Sequence, residues 1–148
     1  MILRLAVGLF CVSALAGADW TDMKILTGEW TGEGSGKPGT GTGEFSFVPE
    51  LQGKVLVRRS FAEYPGAGRH DDLMIVYREG DTTRADYYDN EGHVIRYAVK
   101  VDGQRMVFSS EGTPRYRLTY TALPEEKLRV QFEIDSKTYL DGICRRKR

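Results

Sequence analysis

Along most of the chain, apolar and polar residues alternate one for one. In KLRVQFEID, Leu128, Val130, Phe132 and Ile134 fall on one face and Arg129, Gln131, Glu133 and Asp135 on the other. That period of two belongs to an extended strand with one face buried and the other in water. RYRLTYT repeats it, with Tyr116, Leu118 and Tyr120 set against Arg115, Arg117, Thr119 and Thr121. Further runs of this kind cover 28–35, 42–48, 54–62, 72–78, 82–89, 93–101, 105–110 and 137–145, for a total of about ten strands.

The separators are short and rich in turn-forming residues. Glu79-Gly80-Asp81, Asn90-Glu91-Gly92, Asp102-Gly103 and Glu111-Gly112 supply the residues that tolerate positive φ in tight hairpins. Consecutive strands are therefore expected to be antiparallel neighbours. As an open sheet they would leave two unpaired edges, and closure into an up-and-down barrel removes both. Only DWTDMKILTG, residues 19–28, reads as helical, with Thr21 placed to cap it; one or two turns there would cover one end of the barrel. The expected fold is all-β, an antiparallel barrel of about ten strands with a short N-terminal helix.

Gly34, Gly36 and Gly39 spell G-x-G-x-x-G, a spacing shared with dinucleotide-binding loops. The context excludes that reading, because TGTGEFSFV follows the last glycine where a long amphipathic helix is required. A phosphate loop of the Walker type fails on its letters, with Thr31 in place of the first glycine and Pro38 after Lys37. The tract is read as a first strand carrying Trp30, a hairpin through Lys37-Pro38-Gly39, and a second strand carrying Phe45 and Phe47.

The N-terminus carries a different pattern. Arg4 precedes an apolar run from Leu5 to Leu15, followed by small residues at Ala14, Ala16 and Ala18. This is the pattern of a secretory signal peptide over 1–18, with cleavage expected after Ala18 and a periplasmic or secreted mature domain over 19–148. As a helix the run would reach only ~16 Å, against the ~30 Å of a hydrocarbon core, so no integral membrane association is expected. Cys11 leaves with the leader. Cys144 then stands without a disulfide partner, and the fold must hold by burial alone.

Composition agrees with a single domain: 148 residues, 41% hydrophobic and 28% charged, with a formal net charge of zero. A neutral chain has no field to attract a polyanion. The terminal Arg145-Arg146-Lys147-Arg148 has no aromatic residues interleaved for base stacking, so no nucleic-acid partner is expected. A monomer or weak homodimer is.

Gly28-x-Trp30, at the start of the first strand and just after the short helix, resembles the G-x-W feature of lipocalins and the wider calycins. The segments LTGEWTGEG, LQGKVLVRR, YYDNEGHV and CRRK resemble those of a bacterial calycin-like (lipocalin-like) family built on a domain of unknown function. The resemblance implies that Trp30 plugs one barrel end and that an Arg of the last strand, Arg145 or Arg146, packs over it. It also implies a cup for a small apolar or amphipathic molecule. Alternation places Leu73, Ile75, Tyr77, Tyr87, Tyr97, Val99, Met106, Phe108, Tyr116, Leu118, Tyr120, Val130 and Phe132 on the inward face. Of these, Tyr77, Tyr87, Tyr97, Phe108, Tyr116 and Tyr120 are the expected ligand-binding residues, their rings burying ligand area and their hydroxyls fixing orientation. A solidly packed barrel, serving a structural or protein-interaction role in the envelope, satisfies the same pattern.

Enzymatic readings find little support. His70 and Asp72 share one side of an extended strand but lack a third ligand, and His70-Asp71-Asp72 is read as a solvated approach to the strand. His93 follows a turn and is expected to be exposed. Cys144 has only two histidines in the chain to activate it. No G-x-S-x-G elbow is present, and Asp86 and Glu133 lack identifiable partners. Some ten-stranded calycins resemble the haem-binding nitrobindins, which use a histidine of a late strand; none follows His93 here. No catalytic residue, metal or cofactor is expected.

Overall fold

The computed structural model describes residues 19–148; the leader expectation and Cys11 lie outside them. A 3-10 helix, Thr21–Leu26, precedes ten strands: β1 (Gly28–Gly36), β2 (Gly39–Glu50), β3 (Val55–Tyr64), β4 (Gly68–Glu79), β5 (Thr82–Asp89), β6 (Val94–Asp102), β7 (Arg105–Ser110), β8 (Tyr116–Leu123), β9 (Lys127–Ile134) and β10 (Lys137–Arg146). Each strand pairs antiparallel with the next, and β10 pairs back onto β1 from Trp30↔Arg146 to Gly36↔Leu140. The barrel is closed and up-and-down, so neither edge is left to template aggregation.

Glycine carries positive φ in the hairpins at Gly80, Gly92, Gly103 and Gly112. Three other hairpins use non-glycine residues for the same geometry: Leu51-Gln52, Glu125-Glu126 and Asp135-Ser136 all have φ between 49° and 63°. These turns match the right-handed twist of the strands they join.

The helix closes one end. Met23 and Leu26 are fully buried, and Trp30 beneath them donates its indole N–H to the Leu26 carbonyl at 2.9 Å. Thr21 does not cap the helix; its backbone N–H is instead taken by the Asp19 carboxylate at 2.8 Å. A short helix entered from an extended chain has its first N–H groups unpaired, and the preceding acid is well placed to accept one.

Below the helix the barrel is solid. Trp30, Phe45, Phe47, Leu56, Val76, Met106, Phe108, Tyr120 and Leu128 interlock there. Rings run in sequence away from the helix: Trp30 on Phe45 at 6.1 Å, Phe45 on Tyr120 at 5.7 Å, Tyr120 on Phe108 at 5.8 Å, Phe108 on Tyr97 at 6.2 Å and Tyr97 on Tyr87 at 6.4 Å. On the β1–β2–β10 side the inward positions Gly32, Gly34, Gly41, Gly43 and Gly142 carry no side chain. A Cβ on Gly32 would stand 2.5 Å from the Ile143 carbonyl and one on Gly43 2.7 Å from that of Phe61. The glycine tract is thus a wall where neighbouring backbones approach too closely for any side chain.

One face assignment is overturned. Leu73, Ile75 and Tyr77 are not on the inward face of β4; Met74 and Val76 are, both fully buried. The run from Leu73 to Tyr77 is apolar at every position, so alternation cannot choose its phase. Pairing chooses it: Tyr77 lies opposite Arg84, whereas Met74 lies opposite Tyr87 and Val76 opposite Ala85.

Candidate functional site

Toward the end opposite the helix, the packing gives way to a cavity of about 530 Å³. Its walls include Ile95, Tyr97, Tyr116, Leu118, Val130, Phe132, Tyr139 and Leu140, and its mouth is framed by Pro38, Ala67, Gly68, Glu91 and His93. The last five lie on or beside the β1–β2, β3–β4 and β5–β6 turns, which all gather at this end. Tyr116 and Phe132 stack nearly parallel at 6.0 Å, and Tyr139 meets Phe132 edge-on at 5.9 Å. A register shift in β10 between Thr138 and Leu140 places Tyr139 and Leu140 together on the wall, the kind of re-aiming a β-bulge allows.

Where the cavity meets the packed half there is a buried ion pair. Arg58 of β3 is 7% exposed, and its Nη1 binds Oδ1 of Asp72 on β4. The Asp72 side chain is 6% exposed, and the guanidinium also lies over the Phe45 ring at 5.4 Å. Burial works most strongly against the Arg58 charge, but the Asp72 carboxylate together with the neighbouring Tyr120 and Tyr87 hydroxyls outweighs it and holds the pKa above the ordinary arginine value. Among the described residues, two buried polar atoms here lack a partner: Arg58 Nε and the Tyr120 hydroxyl. The hydroxyl lies beside the guanidinium without the geometry of a hydrogen bond.

The mouth is a polar network. His70 Nδ1 is 3.0 Å from Glu91 Oε1, and His70 Nε2 is 2.9 Å from the Tyr87 hydroxyl. Glu91 can only accept, so Nδ1 carries a proton, and in a neutral ring Nε2 accepts from Tyr87. The Tyr87 hydroxyl is also 3.3 Å from Asp89 Oδ2, which His93 Nδ1 approaches at 2.8 Å. Asp89 Oδ1 takes the backbone N–H groups of Glu91 and His93 at 3.0 and 2.9 Å. Burial opposes the Asp89 charge, and the backbone and ring of His93 overcome it, holding its pKa below the ordinary value. Asn90 ties the turn to β4 through the Asp71 N–H and the Arg69 carbonyl, both at 3.1 Å.

Of the six expected ligand residues, Tyr87, Tyr97 and Tyr116 line the cavity. Phe108 and Tyr120 do not; both are fully buried among the rings of the packed half. Tyr77 faces outward on β4, as described above. Of the structural residues, Trp30 is buried as the plug, and Arg146, not Arg145, lies over it at 4.4 Å. A Cβ on Gly28, whose φ is +107°, would stand 2.6 Å from Arg146 Nη1, so the glycine leaves room for the arginine. His70 and Asp71 belong to strand β4, and His70 is a cavity residue.

Alternation missed Arg58 and the roles of Tyr64, Asp72 and Tyr139. Val55, Leu56 and Val57 precede Arg58, another apolar run without a phase. Had Leu56 been placed inward, Arg58 would have followed two positions later.

Burial and the neighbouring Asp72 raise the Tyr87 pKa, which makes its phenol a weak proton donor. Burial pushes the Cys144 thiol up to about 11, far from a reactive thiolate. Among the described residues, no group of three or more His, Cys, Asp or Glu is arranged to hold a metal ion. A second depression, of about 550 Å³, lies by the β7–β8 connection and is walled largely by polar residues, among them Ser109, Glu111, Arg115 and Glu133. Comparison with protein-family models and with curated proteins finds no match.

Proposed function

We infer that this chain is an exported, calycin-like barrel that binds a small apolar or amphipathic molecule in the cavity at its open end. The observation that carries the reading is the division of the interior: one half is packed solid, while the other keeps about 530 Å³ walled by aromatic and aliphatic side chains. That volume falls in the ~300–1,000 Å³ range of small-molecule sites, and an apolar wall with a few convergent polar groups is their usual composition. Tyr87, His70 and Arg58 supply those groups. Export rests on the residues before Asp19 and predicts a mature N-terminus at that position, read by N-terminal sequencing of the envelope fraction.

Titrating the folded protein with the uncharged, environment-sensitive dye Nile red tests the binding reading. Saturable fluorescence enhancement, reversed by an apolar competitor, is expected. A folded protein that takes up neither dye nor fatty acid at high micromolar concentration sinks it and leaves the barrel a structural or protein-interaction module.

A further inference from the structure

Resting on the binding reading above, we propose that the cavity takes an amphiphile with a cationic ammonium head, held at the mouth by the carboxylates of the β5–β6 turn and by aromatic rings, and discriminates against the matching carboxylate. The first ground is the charge left on the lining, whose charged side chains are Arg58, Arg69, Asp72, Asp89 and Glu91. Arg58 and Asp72 cancel as the buried ion pair. Arg69 is turned away. Ser60 and Ala62 of β3 line the cavity, so Phe61 and Glu63 alternate to the outer face. The Arg69 guanidinium lies over the Phe61 ring at 4.1 Å and binds Glu63 and Asp71 at 3.5 and 2.9 Å. Lys37, beside the mouth, is exposed and does not line the cavity.

Asp89 and Glu91 remain. Among the described residues their ion-pair partners are imidazoles only, His93 at 2.8 Å from Asp89 and His70 at 3.0 Å from Glu91, and an imidazole is a neutral partner above the usual histidine range. Asp89 is held as the anion by the backbone N–H groups of Glu91 and His93. The mouth therefore carries negative charge to which the chain commits no arginine or lysine.

The second ground is the wall. Tyr64 ends β3, Tyr116 opens β8 and Tyr139 lies near the start of β10, so all three line the cavity on its mouth side, and the face of such a ring attracts a cation. Leu118 and Val130 lie two residues deeper on β8 and β9 than Tyr116 and Phe132, so the lining turns aliphatic inward. An alkyl chain directed there leaves its head at the mouth, where the head keeps part of its water and the cost of burying a charge is reduced. A carboxylate head at that level meets Asp89 and Glu91 as like charges. Glu91 Oε1 and both Asp89 oxygens already take hydrogen bonds, which a quaternary ammonium, donating none, leaves in place.

The test is displacement of Nile red at about pH 8.5, where imidazoles are ordinarily neutral, by three ligands with one alkyl chain: decyltrimethylammonium, decanol and decanoate. The cation is expected to bind most tightly and decanoate least, with at least about tenfold between the two ions. A smaller gap, or an alcohol or carboxylate that binds as tightly as the cation, overturns the proposal while leaving the binding reading intact. The same holds if the dye binds but the cation fails to displace it. A protein that takes up no dye and none of the three ligands defeats both. Glu91→Gln removes one mouth charge and keeps an acceptor for His70, on a side chain that is 61% exposed. It is expected to narrow the gap between the two ions at least about threefold; an unchanged gap in the folded variant overturns the proposal. Should that variant not fold, the wild-type order decides alone.

Discussion

The guanidinium of Arg146 lies 4.4 Å from the centre of the Trp30 ring and donates to the carbonyls of Thr27 and Ile25 at 2.6 and 3.4 Å. One side chain of the last strand thus covers the plug of the first and takes up carbonyls at the open end of the helix.

Removing either partner separates plug from surface. Trp30→Ala is expected to cost ~3–5 kcal/mol, the range for deleting a large buried aromatic. Arg146→Ala should cost ~1–3 kcal/mol through its charged hydrogen bonds. Arg145→Ala, on the exposed face of β10, should stay within ~0.5 kcal/mol. Urea melts of the three variants check the order; equal losses for the two arginines would contradict the geometry.

Tyr120 is fully buried with an unpartnered hydroxyl. Tyr120→Phe keeps the ring contacts and removes the unsatisfied group, so it should be neutral or stabilising by up to ~1 kcal/mol. Tyr120→Ala should lose ~3–5 kcal/mol. A Phe variant more than ~1 kcal/mol less stable than wild type would mean that the hydroxyl has a partner after all.

Ala62 lines the cavity next to Tyr64. Ala62→Trp should fill the space and weaken Nile red binding at least about tenfold. Overpacking a dense core costs ~1–3 kcal/mol, but the side chain here enters open volume, so melts should move by less than ~1 kcal/mol. A large loss of stability with binding intact would place the dye elsewhere.

Asp89 sets a pH dependence. Its folded pKa is depressed below the unfolded value of 3.8, so its contribution to stability is fully present above that value and is lost as pH falls through the folded pKa. Asp89→Asn should be less stable than wild type at pH 7, and the gap should close progressively below pH ~3.8. Paired denaturant melts across that interval measure it, and a gap constant down to pH ~2 would remove Asp89 as its source.

Strand number, hairpin order and the barrel itself were legible in the chain because each strand with one buried face writes its own period of two. LRVQFEI and YRLTY are unambiguous, and the short turns leave antiparallel neighbours as the simple connection. Tyr87, Tyr97 and Tyr116 could be placed inward on that basis. Where apolar residues are continuous, as from Leu73 to Tyr77 and from Val55 to Val57, local pattern carries no phase information, and for that reason Tyr77 was placed on the wrong face and Arg58 was missed.

The choice between Arg145 and Arg146 likewise required the pairing of Trp30 with Arg146 across the closing ladder. The division of the interior was further still from the sequence, since Phe108 and Tyr116 look alike as inward aromatics. Height along the barrel axis decides which one joins the packed half and which one meets open space, and height is set by the stagger of ten strands together. The alternation of the chain by itself determined that it closes into a barrel with an apolar interior. Only the tertiary structure decided which half of that interior is full, because filling depends on how side chains from distant strands meet at one level, and no local period encodes that.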